Sequence, residues 1–295
     1  MKKSVYRIFH VLAMVSVGVA AVAQSAPMGG GAPAQVEGAK KDEGVVLRRA
    51  FTAGDKMNYT VNSVMDGKLD LSQFGQGVQD MSMKSSMDLL VIIDSFDKEK
   101  KLAQFTGKVT KNTLEMEPAP PGMTAPAEFT VKGAVNDRNE VTDPKIEGID
   151  GMSKMMVMGT VQSVFRSLVL PEGPVKVGDT WAQPKSVKYE GGTAENDLKA
   201  TFVGTDTFNG KSVYKITVKG TTKSVGEAKG EEGGMGNIKS TTDNTVDSVV
   251  LLEIETGKIL QVTTSGDVTV ATEIVDMGVT VPVKGHYTSK VTLKA

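Results

Sequence analysis

The stretch SMKSSMDLLVII puts Met83, Ser85, Met87, Leu89, Val91 and Ile93 on one face in period two. The same alternation recurs along the chain in short runs rich in Val and Thr, punctuated by Gly, Asn and Asp. This is the pattern of antiparallel strands with one face on a core and the other in water. The chain has no cysteine, so its stability has to come from that core and not from disulfides.

Turn chemistry joins the strands. In VVLLEIETGKILQVTTSG, Val250, Leu252 and Ile254 alternate up to Thr256-Gly257, where glycine supplies a positive φ, and Ile259 resumes the return strand. The segment VGTDTFNGKSVYKITV repeats the device with Asn209-Gly210, and IIDSFDKEKKLAQF and KGAVNDRNEVTD do so less cleanly.

These features echo in order. FTAGDKMNY opens a strand at Gly54-Asp55 and is followed from Asp88 by DLLVIIDSFDKEKKLAQFTGKVTK. VKVGDTW opens another at Gly178-Asp179 and is followed from Asp197 by DLKATFVGTDTFNGKSVYKITVKGTTK. A further hairpin follows each, around Asp137 and around Gly257. Extra residues of loop-like composition fall near DGKLDLSQFGQGVQD in the first half and near GEAKGEEGGMG in the second. The expected architecture is mainly β (α+β): one large curved antiparallel sheet or half-barrel from two related halves, about 44–145 and 172–295, forming a single domain over 44–295.

Between the halves a helix is expected over about 149–169. Val157, Met158, Val161, Val164, Phe165 and Leu168 form one stripe at helical spacing, Gln162, Ser163, Arg166 and Ser167 lie opposite, and Pro171 stops the run. Met152, Met155 and Met156 fall off the stripe. They belong to an irregular first turn or pack a second side of the helix or, with Trp181, line a pocket for an apolar ligand.

Lys2, Lys3 and Arg7 precede an apolar run from Val11 to Ala23 that is too short for a permanent span, and Ala21-Val22-Ala23 fits the small-x-small cleavage rule. Residues 1–23 therefore read as a signal peptide, with no later transmembrane anchor and a secreted or periplasmic product. Residues 24–43, QSAPMGGGAPAQVEGAKKDE, have almost nothing to bury and read as a disordered linker. Cleavage removes three of the 34 Lys and Arg and none of the 35 Asp and Glu. The remaining chain is mildly acidic, with no basic stripe interleaved with aromatics, which argues against a nucleic-acid partner.

Paired strands, one long helix after the middle and a sheet too large to stay flat resemble the half-barrel of the outer-membrane lipoprotein carriers, the LolA/LolB-like fold. The VGDTW strand start is also similar to that of secreted bacterial β-rich proteins of unknown function. The carrier resemblance implies a concave face that holds acyl chains, with helix 149–169 as its lid.

Enzyme chemistry lacks its parts. His10 leaves with the signal, so a triad could run only through His286, which sits in a terminal strand, and there is no nucleophile elbow. Zinc and haem lack ligands for the same reason. Asp137, Asn139, Glu140 and Asp143 carry calcium-type oxygens without the loop glycine or spacing, and read as a polar turn. Met81, Met83 and Met87 are soft Cu(I) ligands by type, yet their period of two is already explained by strand burial. The expectation is a non-catalytic envelope protein without cofactor or metal. It binds an apolar or lipid-like ligand or, alternatively, serves as a structural or interaction protein with an envelope protein as partner.

Overall fold

Alternating side chains and tight turns produce twelve strands in the computed structural model, which describes residues 44–118, 128–149, 168–189, 192–228 and 237–294. They are β1 (Lys56–Asp70), β2 (Val78–Asp97), β3 (Leu102–Glu117), β4 (Phe129–Asn136), β5 (Val141–Glu147), β6 (Thr180–Ala182), β7 (Ser186–Tyr189), β8 (Gly192–Phe208), β9 (Lys211–Ala228), β10 (Ile238–Glu253), β11 (Ile259–Ile274) and β12 (Val279–Leu293). Neighbours run antiparallel. The order across the sheet is β5-β4-β3-β2-β1-β12-β11-β10-β9-β8-β6, with β7 beside β8. All four expected hairpins are present, with Asn209-Gly210 between β8 and β9 and Thr256-Gly257 between β10 and β11. Two meanders, β1 to β5 and β6 to β12, are joined where β1 pairs with β12 from Tyr59↔Leu293 to Leu69↔Val283.

The two Gly-Asp strand starts are built alike. Gly54 N–H donates to Ile93 O at 2.7 Å and Ile93 N–H to Asp55 O at 2.9 Å; Gly178 N–H donates to Phe202 O at 2.8 Å and Phe202 N–H to Asp179 O at 3.0 Å. Asp55 Oδ2 accepts from Thr52 N–H at 3.3 Å, as Asp179 Oδ2 does from Lys176 N–H at 2.8 Å. Glycine supplies φ of +89° at Gly54 and +92° at Gly178, and the aspartate caps a turn donor. A register shift follows each site, between Ile93 and Ser95 and between Phe202 and Gly204.

The sheet curls into a half-barrel whose ends come together at one point. Asn139, in the β4–β5 turn, donates from Nδ2 to Leu168 O at 2.7 Å, and Leu170 N–H donates to Arg138 O at 2.8 Å. On the other side of the same segment, Val169 N–H donates to Gln183 Oε1 at 2.7 Å and the Trp181 indole N–H to Val169 O at 2.7 Å. Three residues span at most about 10 Å, so residues 168–170 act as a clasp between the first and last strands of the sheet.

This corrects the expected helix. Among the described residues there is no α-helix, and residues 150–167, including Met152, Met155 and Met156, lie outside them, as do residues 1–43. The described ends of the expected span, Ile149, Leu168 and Val169, are not helical. The physical reason at the carboxyl end is that the backbone groups of residues 168–170 are used sideways, on the two sheet edges, instead of along a helix. Trp181 does meet this segment, through a hydrogen bond and partial burial against the core, but not under a helix.

The interior has two apolar compartments. The first packs Leu47, Phe51, Leu168, Leu170 and Val175 onto inner-face residues such as Val61, Met87, Val91, Ile216 and Val291. The second includes Met65, Leu69, Met81, Met83, Val283 and Tyr287. Met81, Met83 and Met87 are thus core residues of one strand face. Between the compartments runs a belt of hydroxyls in register across five adjacent strands, Ser85↔Ser63↔Ser289↔Thr264↔Ser248. Thr264 and Ser248 bond each other at 2.5 Å, while the buried Oγ atoms of Ser63 and Ser289 find no partner among the described residues.

Burial raises the pKa values of the Tyr59 and Tyr287 phenols; nearby Asp267 adds to the effect at Tyr287, and Arg49 opposes it at Tyr59. A raised folded pKa contributes stability that is complete below the unfolded value of about 10 and is lost as pH climbs toward the folded value. Urea midpoints are therefore expected to fall from about pH 9 to 11, and less steeply in Tyr287→Phe. An equal decline in the two proteins would remove Tyr287 from the explanation.

Candidate functional site

The segment 44–55 crosses the clasped end of the half-barrel as a strap. Val45 and Val175 exchange backbone hydrogen bonds of 2.7 and 2.9 Å, and Arg48 reaches Pro171 O at 2.6 Å and also Glu172 O. Arg49 N–H donates to Asp137 O at 2.7 Å and Ala50 N–H to Thr256 O at 2.8 Å, so the strap is held between the β4–β5 and β10–β11 turns. Gly257 permits the second contact: its φ is +64°, and a Cβ there would lie 2.0 Å from Arg48 O.

Beneath the strap is a cavity of about 30 Å³. Phe51 from the strap, Met57 and Tyr59 from β1, Val91 and Ile93 from β2, and Phe105 from β3 form part of its wall. Val135, Val141, Ile259 and Val291 complete the apolar lining, and Arg49 and Asn139 are the polar members besides the Tyr59 hydroxyl. That hydroxyl is already engaged, donating to Ile259 O at 3.2 Å.

Arg49 is the unusual group. The residue as a whole is half-buried, but its Nε has no solvent access and no hydrogen-bond partner. Nη1 donates to Asn139 Oδ1 at 2.8 Å, Nη2 lies 3.5 Å from the Met57 sulfur, and the guanidinium sits 4.8 Å from the Phe51 ring centre. Among the described residues no carboxylate pairs with it. Nearby Asp137 is taken by Arg48 at 3.5 Å and Lys101 at 3.4 Å, and Asp55 faces Lys258 at 3.9 Å. Burial lowers the pKa of Arg49, and proximity to Tyr59 opposes this. An arginine nevertheless stays protonated in proteins. The cavity wall therefore carries a positive charge balanced only by a neutral amide, a thioether and an aromatic face.

Asn139 is the organiser. It is buried with φ +63°, its oxygen holds Arg49, and its nitrogen holds Leu168 of the clasp. The sequence NDRNEVTD reads correctly as a hairpin turn, but its role in joining strap, clasp and cavity depends on contacts with chain 90 and 29 residues away. Arg49 was open to notice as one of two arginines inside the apolar run VVLRRAF.

Trp181 lies across the clasp, outside the cavity wall, and so does not share this site with Arg49. His286 stands on β12, half exposed, with Nδ1 at 2.9 Å from Asp267 Oδ1. Among the described residues no group of three or more His, Cys, Asp or Glu is placed to hold a metal. No helix among them is long and apolar enough to cross a membrane. No family model matches the chain, and no curated protein matches its sequence.

Proposed function

We propose that this chain is an exported, non-catalytic binding module of the cell envelope, secreted or periplasmic, that takes an apolar or lipid-like ligand into its half-barrel. One observation carries the reading: an apolar cavity at the clasped end of a curled sheet, entered by a small number of converging polar groups. Ligand sites are commonly built this way. The carrier-like role implied by the half-barrel resemblance is part of the same reading. The matched hydrogen bonds at Gly54-Asp55 and Gly178-Asp179 support the view that the barrel arose from two copies of one unit.

At about 30 Å³ the cavity holds on the order of two waters. A ligand larger than that enters only if the strap or its side chains give way. This small volume favours a second reading, in which the filled half-barrel is a scaffold whose surface meets an envelope protein. Mass spectrometry of organic extracts from the natively purified protein separates the two. The expected result is a lipid or other apolar compound near one equivalent per chain. Empty extracts, together with melting temperatures unmoved by any amphiphile, would favour the scaffold.

A further inference from the structure

A buried cation without a counter-ion is costly, and cavities beside such groups are filled by water or by an anion. Arg49 meets this condition on several sides. Among the described residues its Nε is closed to solvent and unpaired, its Nη atoms reach only an amide oxygen and a thioether, and Asp137, whose carbonyl accepts from the Arg49 backbone, turns its carboxylate to Arg48 and Lys101. The free space adjoining it, about 30 Å³, is on the order of two waters, which suits the two oxygens of a carboxylate better than a phosphate. The rest of the wall is apolar, so a group bound there through its acid would have hydrocarbon next to that acid.

We propose that Arg49 anchors the acid group of an amphipathic carboxylate, such as an alkyl carboxylic acid. This rests on the binding-module reading above and adds the ligand's charge and head group to it. Arginine suits the task because its planar fork matches a carboxylate and keeps its charge when buried. Asn139 Oδ1 fixes the guanidinium orientation by accepting from Nη1, and the Phe51 ring packs against the guanidinium.

The test uses the purified protein with dodecanoate and dodecyl phosphate below their micelle concentrations and dodecanol below its solubility limit, by titration calorimetry at neutral pH. The wild type is expected to bind dodecanoate at least about tenfold more tightly than dodecanol, equivalent to about 1.4 kcal/mol, and R49M to bind the two equally. Equal affinities in the wild type would overturn the Arg49 assignment while leaving the binding-module reading in place. Binding of none of the three would overturn both. Tighter binding of dodecyl phosphate than of dodecanoate would overturn the carboxylate assignment in favour of a phosphate head group. If R49M does not fold, the wild-type ratio decides the matter alone.

Discussion

Gly257→Ala is expected to destabilise the protein by about 4 kcal/mol, the largest effect of any single methyl group added to the described turns. The added Cβ would fall 2.0 Å from Arg48 O, in backbone and not in a flexible side chain, so the strap or the β10–β11 turn must move. Overpacking of this kind costs roughly 1 to 3 kcal/mol, and a left-handed conformation without glycine adds roughly 1 to 2 kcal/mol. Gly210→Ala is the control, because it has φ of +76° at the β8–β9 turn but nothing within 4 Å of the new atom. It should lose only the conformational part, about 1 kcal/mol. Equilibrium urea unfolding of both variants checks the difference. Equal losses would mean that the close passage of the strap over Gly257 has no energetic weight. Because the same strap carries Arg49, Gly257→Ala should also weaken the preference for dodecanoate over dodecanol.

Asn139→Ala is expected to cost about 3 kcal/mol. The substitution removes the oxygen that holds Arg49 and the nitrogen that holds Leu168, leaving a buried charge less satisfied and one clasp carbonyl without its donor. Hydrogen bonds to charged groups contribute about 1.5 to 3 kcal/mol and neutral ones about 1. Part of the loss belongs to the backbone, since φ at this position is +63°. Asn139→Gly relieves that part and measures the side chain alone. Asn139→Asp restores an acceptor for Arg49, now charged, but not the donor to Leu168, and should recover more than half of the loss. An Asn139→Asp variant as unstable as Asn139→Ala would show that the Arg49 contact is not what Asn139 contributes. Mutation at Asn139 should also shift the affinity for the carboxylate ligand, since the cation would lose its fixed orientation.

These two positions mark the division between local and distant information in this protein. Period-two alternation at Met83 to Ile93, the Asn209-Gly210 and Thr256-Gly257 turns, and the two Gly-Asp strand starts depend on φ preferences and on neighbours a few residues away. They were legible without a structure because the chain itself supplies the partners. The helix expected over about 149–169 is not borne out at its described ends, Ile149, Leu168 and Val169. Among the described residues, the segment 168–170 spends its backbone hydrogen bonds on Arg138 on one side and Gln183 and Trp181 on the other, which no periodicity encodes. The pairing of β1 with β12, the alignment of five hydroxyls from Ser85 to Ser248, and the contact of Arg49 in the strap with Asn139 likewise join residues far apart in the chain. Sequence alone determined that this is an antiparallel β protein with these turns. Only the tertiary structure decided which ends of the sheet meet and which charge is enclosed, because burial and neutralisation are properties of the assembled surroundings and not of the residue.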